Sequence, residues 1–64
     1  MDKFNSIVAL GESARNASLS LAEMISLRDN PSASVVLRAG AREEIIILTT
    51  KIDRIAARIK EISA

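Results

Sequence analysis

The charged side chains are the residues of this 64-residue chain best suited to chemistry, and their spacing offers little of it. The acids are Asp2, Glu12, Glu23, Asp29, Glu43, Glu44, Asp53 and Glu61. Of these, only Glu43 and Glu44 are adjacent. Neighbours on a helix diverge by about 100°, so they make no acid–base dyad. Glu44 and Lys51 lie two turns apart, a spacing that a solvated helix face explains equally well. The chain has no His and no Cys, which removes imidazole catalysis, thiolate nucleophiles, thiolate metal sites and disulfides. With no convergent polar set, the expectation is no catalytic residue, no cofactor and no metal ligand.

The cations Arg38, Arg42, Lys51, Arg54, Arg58 and Lys60 fall in the second half of the chain, offset by Glu43, Glu44, Asp53 and Glu61. If that half is a helix occurring twice in a dimer, it presents a basic face suited to phosphates. A solvated face with cations at the carboxyl end of the helix dipole is the simpler reading. The net charge of +1 is too even to mark an electrostatic nucleic-acid binder. Phe4 is the single aromatic, whereas base-stacking platforms and membrane-interface belts both need such rings. The longest apolar run, Ile45-Ile46-Ile47-Leu48, is far below the roughly 18 residues that span a bilayer. The stretch Met1-Asp2-Lys3-Phe4-Asn5 lacks the pattern of a signal peptide. Cytoplasmic residence is therefore the default expectation, and leaderless export is equally compatible.

The elements that carry these residues are legible from the apolar spacing. Ile7, Leu10, Ala14, Ala17, Leu21 and Met24 recur at alternating steps of three and four, as do Ala41, Ile45, Leu48, Ile52, Ile55, Ile59 and Ile62. Folding the chain at Asn30-Pro31 pairs Ile7 with Ile59, Leu10 with Ile55, Ala14 with Ile52, Ala17 with Leu48, Leu21 with Ile45 and Met24 with Ala41. That register predicts an all-α, antiparallel two-helix hairpin with coiled-coil packing, forming a single domain over residues 1–64. The expected helices cover about residues 3–28 and 33–63, with a turn at 29–32. Asp2 is the leading N-cap of the first helix, with Asn5 or Ser6 behind it; Asn30, Ser32 and Ser34 compete to cap the second. Pro31 holds Asn30 extended and ends the first helix. Gly11 weakens the first helix and Gly40 is a point where the second could bend, although the heptad phase passes through Gly40 without a slip.

Hydrophobic residues make up 48% of the chain, more than the seam of one hairpin hides. The two flanks of the seam differ. On one stand Phe4, Val8, Gly11, Ala22 and Ile25 of the first helix, beside Val35, Ala39, Ile46, Thr49 and Ala56 of the second. On the other, Ser6, Ser13 and Ser20 face Glu44, Lys51 and Arg58, with Leu27 and Leu37 near the turn. A stripe widened on one side marks a helix in a bundle of more than two. The ten residues of the apolar flank are thus the predicted association face, and a two-fold homodimer forming a four-helix bundle is the simplest closed arrangement. Leu19 and Ile47 belong to neither stripe.

Two heptad seams with alanine layers and a short turn resemble the small plasmid RNA-binding regulator Rop, a likeness that implies a four-helix dimer and a nucleic-acid partner. The Asn30-Pro31-Ser32 link between two helices is similar to the turn of type III secretion needle subunits and their small helical chaperones, which implies a place in a larger apparatus. The residues by themselves point to a non-catalytic, self-associating hairpin that works through protein–protein contacts, with itself or another helical protein as partner. A subunit or chaperone of a needle system and a Rop-like regulator are the two alternatives.

Overall fold

The computed structural model describes residues 2–64; Met1, the first residue of the amino-terminal stretch considered above, lies outside them. Two helices account for the architecture, α1 over Lys3–Arg28 and α2 over Val35–Ser63, and they pack against each other. The molecule measures 47 × 14 × 14 Å. A 29-residue helix is itself about 44 Å long at 1.5 Å per residue. The molecule is therefore one helix long and two helices wide, and the six-residue link at 29–34 makes the pair an antiparallel hairpin.

Local chemistry sets the helix ends. Asp2 is extended and its carboxylate accepts a 2.9 Å hydrogen bond from the Asn5 N–H, while the Asn5 side-chain amide donates to the other carboxylate oxygen at 3.2 Å. An anionic cap there meets both the orphan amides and the positive end of the dipole. Of the three candidates for the second cap, Ser34 holds the position, its hydroxyl accepting from the Leu37 N–H at 3.1 Å. Asn30 does something else: its side-chain oxygen accepts from the Ser32 N–H at 2.9 Å, an Asx turn that satisfies the backbone of the reversal. The expected turn at 29–32 consequently extends to residue 34, and α2 begins two residues after the expected start.

Burial follows the predicted seam closely. Ala17, Ala41, Leu48 and Ile55 are buried. Ile7, Leu10, Ala14, Leu21, Met24, Ile45, Ile52, Ile59 and Ile62 are half-buried, shielded on the side that faces the other helix. No large side chain among the described residues is fully enclosed. Gly40 sits inside the continuous helix α2, so it neither breaks nor ends it.

One layer of the seam was missed. Arg28 and Arg38 fall one heptad beyond Leu21 and Ile45, and both are half-buried at the turn end with Leu27 and Ala33. Two arginines thus occupy the positions where the apolar series stops. The signal was the heptad spacing itself, which continues to residues 28 and 38 although the residue type changes. Asp29 lies beside Arg28, and the charge of Arg38 also reaches it.

Candidate interaction surfaces

The residues of the predicted association face are all exposed. Phe4 is 72% exposed, Val35 78% and Ile46 68%, values that a side chain in a finished core does not have. Along α1 this flank runs through Phe4, Val8, Gly11, Ala22 and Ile25, and along α2 through Val35, Ala39, Ile46, Thr49 and Ala56. Nothing lies within 4 Å of the place where a Cβ on Gly11 would stand, so the helix surface there is a notch open to solvent. Thr49 presents its methyl, because its hydroxyl is committed to the Ile45 carbonyl at 2.7 Å; Thr50 makes the same bond to Ile46 at 2.9 Å.

The opposite flank carries a feature that the sequence reading did not anticipate. An open groove of about 570 Å³ runs beside α2, with Leu10 and Ile55 at its base, Ile47 and Ile46 at one end, and Lys51, Arg54 and Arg58 along its wall. Leu10 and Ile55 share this groove, as the predicted layer requires. A smaller recess continues it between Ser6, Ala9 and Leu10 of α1 and Arg58 and Ile62 of α2. The α1 side of this recess is low because Ser6 and Ala9 are short. Ile46 reaches the groove as well as the apolar flank, so it stands on the boundary between the two surfaces.

Charges in the groove are only partly compensated. Arg58 donates to Glu61 at 3.0 Å, an exposed pair one turn apart. Among the described residues Lys51 and Arg54 have no carboxylate within ion-pair distance. At the turn end, Arg28 Nε meets Asp29 Oδ1 at 2.9 Å, and the hydrogen bond holds the Asp29 carboxyl below the ordinary carboxylate range; the nearby charges of Arg28 and Arg38 act the same way against a desolvation effect that opposes them. The Arg38 Nε is enclosed and has no acceptor.

Among the described residues no three acids come together in a way that would hold a metal ion. No described helix is long and apolar enough to cross a membrane. No protein-family model matches the chain, and neither a curated protein nor a solved structure matches it.

Proposed function

We propose that this hairpin is a small, non-catalytic assembly or regulatory protein that works through protein–protein contacts, with a second copy of itself as partner. The exposed apolar flank is the observation that supports this most directly. Burying one Val, Leu, Ile or Phe side chain is worth about 1.5–3 kcal/mol. Phe4, Val35 and Ile46 leave most of that stabilisation unused in the isolated hairpin, and Val8 and Ile25 leave part of it. A two-fold arrangement of four helices covers the flank of each copy with that of the other, and the small residues Gly11, Ala22, Ala39 and Ala56 allow close approach.

Sedimentation over a wide concentration range tests the reading. A chain of 6.9 kDa that remains a stable, folded monomer throughout overturns it. The same flank also fits a different helical protein of a larger apparatus. In that case the isolated chain aggregates or folds only in part, where the homodimer gives a compact species. For a nucleic-acid role the groove cations offer the point of support, and it predicts retention on a polyanion column that falls steeply with salt.

A further inference from the structure

Leu19 and Ile47 are 58% and 59% exposed, outside both the seam and the apolar flank. Each belongs to a stripe along its helix, and the two stripes have the same spacing. On α1, Glu12, Asn16, Leu19 and Glu23 recur at steps of four, three and four; on α2, Ile47, Lys51, Arg54 and Arg58 do the same. The α1 stripe carries two acids around one apolar side chain, and Glu12, Asn16 and Leu19 border a shallow recess with Arg15. The α2 stripe forms the wall of the basic, apolar-based groove. Spacing and charge are both complementary, although Arg15 opposes part of the acidic character. Within one hairpin the stripes do not meet, because the recess beside Leu19 is lined by α1 alone.

We propose that a second copy of this chain lays its Glu12–Leu19–Glu23 stripe into the groove, with its α1 antiparallel to the receiving α2. In the seam register Leu19 lies level with Ile47, so an unstaggered contact brings Glu23 level with Glu43 and Glu44, where like charges repel. Advancing the incoming helix by four residues, about 6 Å at 1.5 Å per residue, eases this by moving Glu23 level with Ile47. Glu12 then faces Arg58, Asn16 faces Arg54, and Leu19 covers the stem of Lys51 between Ile47 and Ile55. Glu23 comes within reach of the Lys51 ammonium. The contact joins different patches of the two copies, so every addition leaves one stripe and one groove free. A head-to-tail contact with an axial stagger does not close at two copies. It goes beyond the dimer formed on the apolar flank and does not depend on it.

Two charge-reversed variants test it, each altered only at exposed positions: E12K/E23K spoils the stripe, and K51E/R54E spoils the groove. At low salt the parent should sediment as species larger than a dimer that grow with concentration and shrink as salt screens the charges. Each variant alone should lose that growth while circular dichroism shows unchanged helix. Leu19→Ser should lose it too, without any change of charge. A 1:1 mixture of the two charge variants should form a mixed species larger than either variant gives alone, because the intact groove of E12K/E23K takes the intact stripe of K51E/R54E. A two-patch contact has this behaviour and a self-complementary one does not. A parent that never exceeds a dimer, a single variant that keeps growing, or a mixture that forms no mixed species overturns the proposal. Should both variants sediment as monomers, the apolar-flank dimer is what fails, and a 1:1 mixed complex, present or absent, still decides the head-to-tail contact.

Discussion

Arg28 and Asp29 are neighbours in sequence whose side chains close on each other at the carboxyl end of α1, with Nε 2.9 Å from Oδ1 and a second hydrogen bond from Nη2 to Oδ2 at 3.2 Å. Asp29 is the C-cap, so its carboxylate stands at the negative end of the helix dipole, where an anion is normally unfavourable. Arg28 offsets that placement, and the carboxyl is held below its ordinary value as a result.

A carboxyl with a lowered folded-state pKa contributes stability that is complete above its unfolded value, about 3.9. That contribution is lost as the pH falls through the folded value. The difference in melting temperature between the parent and Asp29→Asn should accordingly favour the parent at neutral pH and close below about pH 4. Both partners keep contact with solvent, with side-chain accessibilities of 38% and 62%, so the difference should be small and should shrink with added salt. A gap that widens on acidification would show that Asp29 acts through something other than this pair.

Capping offers a larger effect. Asp2→Ala and Ser34→Ala each remove an acceptor that a first-turn amide uses, at about 1 kcal/mol apiece. Asn30→Ala should act by another route, loosening the reversal by removing the Asx turn with no loss of an α2 cap. Thermal melts of the three variants separate these roles. If Asn30→Ala alone shortened α2 by circular dichroism, Asn30 and not Ser34 would be the working cap.

The seam was legible in the sequence because its period is set by helix geometry, and burial simply reads that period back: Ile7 to Met24 and Ala41 to Ile62 are the shielded positions. What escaped were features that depend on side-chain length and polarity. Arg28 and Arg38 lie on the seam phase but are charged, so an apolar pattern stops before them. The groove and the recess that continues it open where Leu10, Ser6 and Ala9 of α1 stand beside the long side chains Lys51, Arg54 and Arg58 of α2, a difference in height that periodicity does not carry. The start of α2 was uncertain for a related reason, since Asn30, Ser32 and Ser34 have the same capping chemistry and differ only in what else each can reach.

Glycine positions separate fold stability from association. A Cβ added at Gly40 or at Gly11 meets nothing within 4 Å, so Gly→Ala at either site should stabilise the hairpin by roughly 0.5–1 kcal/mol through helix propensity. At Gly40 that should be the whole effect. At Gly11, within the apolar flank, the added methyl occupies the notch that a second hairpin would use. Gly11→Ala should therefore weaken self-association while Gly40→Ala leaves it unchanged, as read by sedimentation of the two variants at equal concentration. Equal association of both would remove Gly11 from the contact.

Charges placed on the two flanks locate the interface. Val8→Glu and Ile46→Glu each bury an unpaired carboxylate if the apolar flank meets a second copy, and separation of the copies avoids that cost. Both should shift sedimentation toward the monomer and lower the melting temperature, because partner binding and folding are linked. Ile46 also borders the groove, so Val8 is the cleaner probe of the flank. Ser13→Glu on the opposite side should leave the dimer nearly untouched. Ile55→Ala, a truncation of one of the buried seam residues, should cost about 2–5 kcal/mol through lost packing. Its effect on the apolar-flank dimer should follow only from that lost stability, since Ile55 lies outside that flank. If Ser13→Glu dissociates the protein while Val8→Glu does not, the contact lies on the serine flank and the roles of the two surfaces are exchanged.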